Sequence, residues 1–355
     1  MRETEAVADA RRAMEICNAC RYCEGYCAVF PAMELRREFS SADLSYLANL
    51  CHACQACFYA CQYAPPHEFG INLPRTFAEV RTQSYAEYAW PAPLGRLFQR
   101  NGTVVSFTAA LGVAIVLALS ASDAIFGAHR GPGAFYAVIP LPAMLITAGA
   151  VLVWSLLTLW MAGANFWRDA GTGRIQPRPM LHALHDALRL KNLGGGGDGC
   201  NYPDEGFSAA RRWLHHAMFY GFALCFASTT VAAIEHNFLG WEAPYAFSSL
   251  PVLLGTIGGA LMLAGTAGLI YLKIIADPAP AARHLLGADY ALLALLLLVA
   301  LTGLLLLALR ATSAMGAALA VHLGFVLALF LALPYSKFVH AVHRPAALLR
   351  AAMER

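Results

Sequence analysis

From residue 104 onward the chain is dominated by six apolar stretches, at 104–126, 137–162, 213–234, 249–275, 288–309 and 314–342. Each is long enough to cross the hydrocarbon core of a bilayer as an α-helix, which takes about 20 residues. Inside lipid the backbone has no water to bond with, so spans of this kind must be helices that satisfy their own N–H and C=O groups. The composition agrees, since 59% of the 355 residues are hydrophobic and 13% are charged, against about 25% charged in an ordinary soluble domain. A net charge of +3, with no basic run interleaved with aromatics, argues against a nucleic-acid partner. Pro140 and Pro142 fall near the start of the second stretch and Pro334 lies inside the sixth, where a kink is expected.

Lysine and arginine are distributed unevenly between the connecting loops. Arg168, Arg174, Arg178, Arg189, Lys191, Arg211 and Arg212 lie between the second and third stretches, and Lys273, Arg283, Lys337, Arg344 and Arg350 fall on the same side. The opposite side has only Arg130 and Arg310. Basic loops stay on the cytoplasmic face, so a multi-pass protein of the bacterial inner (cell) membrane is expected, with the N-terminal region and the C-terminus in the cytoplasm. The expected organisation is a cytoplasmic domain over 1–100, a transmembrane hairpin over 101–163, a cytoplasmic loop over 164–212 and a four-helix membrane domain over 213–355. The glycine run at 194–199 is followed by Cys200-Asn201-Tyr202-Pro203 rather than Gly-Lys-Ser/Thr, so it reads as a linker or docking loop, not a phosphate cradle.

The N-terminal region carries eight of the ten cysteines, in two copies of one spacing: Cys17, Cys20, Cys23, Cys27 and Cys51, Cys54, Cys57, Cys61. Disulfide frameworks belong to small secreted chains, whereas residues 1–16 are charged rather than apolar. Zinc sites are typically built from separated CxxC pairs. The C-x2-C-x2-C-x3-C run is the bacterial ferredoxin arrangement, in which the fourth cysteine of each run ligates the other run's cluster. Two [4Fe-4S] clusters are therefore expected. Proline usually follows the fourth cysteine directly, and here Pro31 and Pro65 come later.

Histidines collect in two of the apolar stretches: His215, His216 and His236 in the third, His322 and His340 in the sixth, with His343 beyond. Ionisable residues at membrane depth are expensive and usually functional. From His322 to His340 is 18 residues, five whole helical turns at about 3.6 residues each, so both imidazoles are expected to project from the same face about 27 Å apart. His215 and His236 lie about 60° apart around the third. Antiparallel packing then sets His215 or His216 beside His340 at the inner depth and His236 beside His322 at the outer. Facing imidazoles hold haem iron within helix bundles, and no CxxCH is present, so one or two noncovalent b haems are expected. Tyr335, Lys337 and His343 are candidates for contacting a quinone carbonyl or a haem propionate, and Glu235 for a proton path.

The sixth stretch, from His322 through Pro334 and Lys337 to His340, resembles the last helix of the respiratory nitrate reductase gamma subunit, a family that passes quinol electrons through two b haems. In that family the ligands on the other helix are ten residues apart, whereas here Cys225 and Phe226 occupy the corresponding region. Taken whole, the twin cysteine runs, the GGGGDGCNYPDE loop and the RRWLHH entry to the third stretch resemble the CitB-like tricarballylate utilisation protein B family. That resemblance implies work beside an FAD-dependent tricarballylate dehydrogenase, whose flavin is reoxidised through iron-sulfur and haem centres. A related arrangement occurs in cobalamin ring-contraction proteins.

The fold expected is mainly α, a helical ferredoxin-type 2[4Fe-4S] domain followed by a six-helix transmembrane bundle. The function expected is that of an electron-transfer subunit: electrons enter from a partner FAD dehydrogenase, cross two clusters and b haem, and reduce membrane quinone. Arg21, Tyr22, Gln55 and Tyr59 are candidates for the docking surface. The alternatives are a partner in precorrin oxidation and a redox-gated sensor or transporter.

Overall fold

A computed structural model describes residues 1–98, 102–120, 123–171, 173–195 and 197–355. The expected boundary at 100/101, residues 121–122 of the first apolar stretch and Gly196 of the glycine run lie outside the described residues. The protein is mainly α-helical.

The N-terminal domain is built from α1 (Glu5–Cys20), α2 (Val29–Glu34), α3 (Ser41–Leu50), α4 (Ala56–Tyr59) and α5 (Leu73–Tyr88). Short polar side chains start the longer helices by accepting an otherwise orphaned N–H: Thr4 from Val7, Ser40 from Asp43 and Asn72 from Arg75. The apolar faces of these helices close over Met14, Phe30, Met33, Tyr46, Leu47, Phe77 and Val80, all of them essentially inaccessible to solvent.

Next come α6 (Ala92–Phe98), α7 (Gly102–Leu119), α8 (Ala134–Val138), α9 (Leu141–Ala170), α10 (Pro177–Leu188), α11 (Ala210–Leu239), α12 (Leu250–Ile274), α13 (Leu286–Leu309) and α14 (Met315–Ala332). Among the described residues five segments have the length and apolarity to cross a membrane: Leu141–Ala170, Ala210–Leu239, Leu250–Ile274, Arg283–Leu309 and Met315–Tyr335. The first expected span appears as the shorter α7, which ends at Leu119 rather than at 126. At 1.5 Å per residue, the 30 residues of α9 exceed the roughly 30 Å core. Its last turns therefore leave the bundle and place Phe166 and Ala170 in the core of the N-terminal domain. Helices α11 and α12 pack backbone to backbone, because a Cβ on Gly221 would lie 2.5 Å from the Met262 nitrogen and one on Gly265 2.4 Å from the Met218 nitrogen. The end of the bundle that carries the N-terminal domain is the near side; the other is the far side.

The sixth stretch is not one helix. Pro334 lacks an N–H, so the Phe330 carbonyl four residues earlier loses its helical donor, and the Ser155 hydroxyl of α9 donates to it instead. The chain passes through 3-10 turns at Leu333–Tyr335 and Lys337–Val339 and restarts as α15 (His340–Met353). This corrects two expectations: the sixth span ends near Tyr335 rather than at 342, and residues 340–353 join the N-terminal domain, not the four-helix membrane domain. Ala347 and Leu348 are buried in that domain's core. Arg350 donates to Asp43 at 2.9 Å and to the Ala170 carbonyl at 2.6 Å, while Arg36 reaches the same Asp43 at 2.8 Å and Glu354 at 2.5 Å. Both guanidiniums lie over the ring of Tyr46.

The segment between α10 and α11 folds onto the N-terminal domain through a two-residue hairpin, β1 (Cys200–Asn201) against β2 (Phe207–Ser208). The Asn201 N–H donates to the Cys54 carbonyl at 3.0 Å. Gly199, at φ 114°, admits this approach, since a Cβ there would lie 2.7 Å from the Ser208 carbonyl. Where described, the glycine run is therefore a docked loop that buries Leu193 and Cys200.

Candidate functional site

The two cysteine runs wind around two adjacent cages. Cys17 and Cys20 end α1, Cys51 closes α3 and Cys57 lies in α4. Arg21, Ala53 and Gln55, all beside cysteines, adopt the left-handed conformation that side chains usually avoid. One cage is lined by Cys17, Cys20, Cys23 and Cys61, the other by Cys27, Cys51 and Cys54. Cys57 lies on the wall between them, and its strongest electrostatic neighbours are Cys54, Cys27 and Cys51. Each cage thus combines three cysteines of one run with the fourth of the other. All ten cysteines are free.

Burial, and after it the neighbouring thiols, pushes Cys17 and Cys23 up to about 12 and holds Cys27 and Cys57 well above the usual thiol range. These sulfurs stay protonated until a metal replaces the proton. Among the described residues no three His, Cys, Asp or Glu side chains converge on one metal ion. The donor set suits a polynuclear group spread across each cage.

The near-side cavity, about 570 Å³, lies between the N-terminal domain and the bundle. It shares His52, Ala53 and Gln55 with the second cage, so the two sites have a common wall. Across it stand His215, in the first turns of α11, and His340, at the start of α15, with ring centroids 6.2 Å apart and planes at 82°. Two imidazoles sharing one metal need about 2 Å per metal–nitrogen bond plus about 1.1 Å from each nitrogen to its ring centre, about 6.2 Å in all. The Lys337 carbonyl lies 2.6 Å from Nδ1 of His340. A carbonyl only accepts, so Nδ1 carries the hydrogen and Nε2 keeps its lone pair for a metal. His216 is placed elsewhere, against Trp213 and Tyr220.

The same cavity is ringed by Arg81, Arg211, Arg283, Arg344, Lys273 and Lys337, with Asp277 and Asp289 as its acids. Lys273 reaches Asp289 at 2.6 Å, and Lys337 donates to its other oxygen. The arginines hold the turn around Cys51: Arg81 bonds the Ala48 and Cys51 carbonyls, Arg344 that of Cys51 and Arg211 those of Ala53 and His52. Nε of Arg344 is buried without a partner among the described residues, and burial, then Arg81, pulls this guanidinium down to about 10. An anionic group in the cavity, such as a haem propionate, would relieve both. Replacing Asp289 with asparagine is expected to cost about 3 kcal/mol, because it strands two lysines in a partly buried site. The check is a lowered thermal midpoint of the detergent-solubilised protein, against an unchanged control at exposed Asp9.

The remaining candidates divide. Tyr335 lines the near cavity and donates to the Trp90 carbonyl at 3.2 Å. His343 does not reach it: the break at Pro334 carries His343 into the domain core, stacked 4.7 Å from Phe166 with both ring nitrogens unpartnered. The expected outer pair is not brought together either. His322 lines a second, far-side cavity of about 510 Å³, but His236 lies beyond its wall, with Nδ1 3.3 Å from the Tyr136 hydroxyl and 3.2 Å from the Trp241 carbonyl. Glu235 is buried at that end of α11 with Oε2 unpartnered, and it does not line the cavity. Sequence reasoning missed His52, Arg81, Asp289 and Arg344. Of these, Asp289, inside an apolar helix, carried a readable signal, an ionisable residue at membrane depth.

Fold and site together define a membrane protein with a ferredoxin-type thiol domain packed on one end of its helices. The family model described as Citrate utilization protein B matches residues 96–355, and that of the Citrate utilization protein B Fer4-like domain matches residues 10–87. The chain belongs to the citrate utilization protein B family. A curated relative, Citrate utilization protein B of Escherichia coli, is 48% identical over 99% of this chain and 93% of its own length. No solved structure matches.

Proposed function

We propose that this chain is the membrane electron-transfer subunit for a separate FAD-dependent dehydrogenase, passing reducing equivalents to the quinone pool. The observation that carries the reading is the row of adjoining sites: first cage, second cage and near cavity, each sharing a wall with the next. Two [4Fe-4S] clusters held by the eight cysteines and one b haem held between His215 and His340 would supply the one-electron chemistry. Arg81, Arg211 and Arg344 fix the turn between second cage and cavity, and their charge favours an anionic group there. The lone pair on His340 is aimed by the Lys337 carbonyl. The relative's name ties that protein to citrate utilisation, and by extension a tricarboxylate such as tricarballylate is the donor's substrate class.

The first cage is the entry, because Tyr22 on its rim is 65% exposed. Arg21 and Tyr22 suit a docking surface. Gln55 is buried, and Tyr59 donates to Asp277 at 2.7 Å, which turns both toward the membrane side. The excess of lysine and arginine in the loops on its side supports a cytoplasmic position for the N-terminal domain. The test uses the candidate flavoprotein with its substrate. It should reduce the b haem of the intact chain and fail to do so when Cys54→Ser disables the second cage. Equal reduction rates in the two would refute the reading.

A further inference from the structure

We propose that the far-side cavity is the binding site for the quinone ring, with His322 as its polar contact. The proposal rests on the reading above, that the chain reduces quinone, and adds where. The cavity lies among α9, α11, α12, α13 and α14, and one layer of side chains separates it from the near cavity. On α11 the near cavity ends at Met218 and the far one begins at Phe222, about 6 Å along the axis. On α13 the corresponding residues are Leu296 and Val299, about 4.5 Å apart. An occupant of the far cavity is therefore next to any redox group held by His215 and His340.

The lining selects among such occupants. A second haem would bring two propionates and favour a second axial imidazole. Among the described residues six arginines and lysines line the near cavity, whereas the far one has Arg310 alone, whose guanidinium donates to the Tyr245 carbonyl at 2.6 Å and lies 3.6 Å from the centre of the Phe247 ring. The second histidine is missing, since His236 stays outside the wall. Four hydroxyls of the lining are spent on backbone: Ser228 donates to the Pro251 carbonyl at 2.6 Å, Thr229 to that of Cys225 at 3.3 Å, Tyr245 to that of Ala232 at 2.9 Å and Thr256 to that of Val252 at 2.7 Å. What the walls offer is an apolar slot with one imidazole, which matches a flat, uncharged ring with a hydrocarbon tail.

The state of that imidazole follows from its neighbour. The Thr302 hydroxyl donates its single hydrogen to the Leu298 carbonyl at 2.6 Å. It must therefore accept at 3.1 Å from Nδ1 of His322, which leaves Nε2 of the neutral ring with a lone pair. Nε2 accepts the hydrogen bond of a quinol hydroxyl. In each turnover the quinone takes two electrons from the near-side centre and two protons from water, forming two O–H bonds. Entry is lateral: α9 and α11 both line the cavity without packing along one another, and Phe226, in the wall, is 45% exposed.

The experiment uses the full chain in lipid nanodiscs, with an azido-ubiquinone carrying a ten-carbon tail as photoprobe and decylubiquinone as competitor. Labelling is expected within 144–152 or 222–232, and to fall at least about tenfold in His322→Ala and in the cavity-filling Thr229→Phe. Both variants should retain wild-type haem and iron content, and their oxidation by decylubiquinone should slow by a similar factor. A haem content halved by His322→Ala would overturn the proposal in favour of a second haem. Labelling confined to the surroundings of Tyr335 and Lys337 would overturn the site alone. Wild-type reduced protein that decylubiquinone cannot oxidise would instead refute quinone reduction itself. The wild-type labelling map decides the matter even if a variant fails to fold.

Discussion

Replacing His340 with alanine is expected to strip haem from the near cavity while both thiol cages keep their iron. The expected result is at least a tenfold fall in haem per chain, read by the reduced b-type absorption bands, with cluster signals in electron paramagnetic resonance unchanged. His215→Ala should do the same, because its ring stands opposite at 6.2 Å. His216→Ala should leave haem content near wild type, since that ring packs on Trp213 and Tyr220. Restoration of the bands in His340→Ala by added imidazole would separate a lost ligand from a collapsed fold. Retention of haem in His340→Ala would remove the near cavity from the pathway. The contrast with His322→Ala, expected to keep all its haem, is the sharpest division between the two membrane histidines of the sixth stretch.

That division was only half legible in the sequence. Hydropathy located the spans because lipid imposes a length on them, and the repeated cysteine spacing foretold cages that mix the runs. The depth of the histidines was also readable. Their partners were not, because the periodicity argument assumed an unbroken helix from His322 to His340. Pro334 announced a kink, but how far the chain turns depends on Ser155, 175 residues away in sequence, which stabilises the freed Phe330 carbonyl. The turn then carries His340 to the near cavity's rim and His343 into the domain core. His236 misled for a related reason: its ring is held by the Tyr136 hydroxyl of α8, 100 residues away in sequence, and by the Trp241 carbonyl just past the end of its own helix. The glycine run read as a linker or docking loop because composition reports no tertiary contact, and the Asn201–Cys54 hydrogen bond, which is one, selects the docked loop.

Substituting Cys61 with serine is expected to damage the cage of the other cysteine run. Cys61 shares its cage with Cys17, Cys20 and Cys23, whereas Cys27 lies with Cys51 and Cys54. Iron should fall from about eight to about four atoms per chain, and the surviving resonance should be the one that also survives Cys17→Ser. Cys27→Ser should spare the opposite cluster and match Cys51→Ser. If Cys61→Ser instead matches Cys54→Ser, each run closes on itself and the crossed cages are wrong. Under the proposed function the grouping also implies an order of transfer. The second cage alone adjoins the near cavity, through His52, Ala53 and Gln55. A chain lacking only the second cluster should therefore still accept an electron from its flavoprotein on the first, with no reduction of haem behind it. A chain lacking only the first should leave both the second cluster and the haem oxidised by that donor, although dithionite reduces them. The two half-loaded proteins thus distinguish a directed sequence of sites from two equivalent entries.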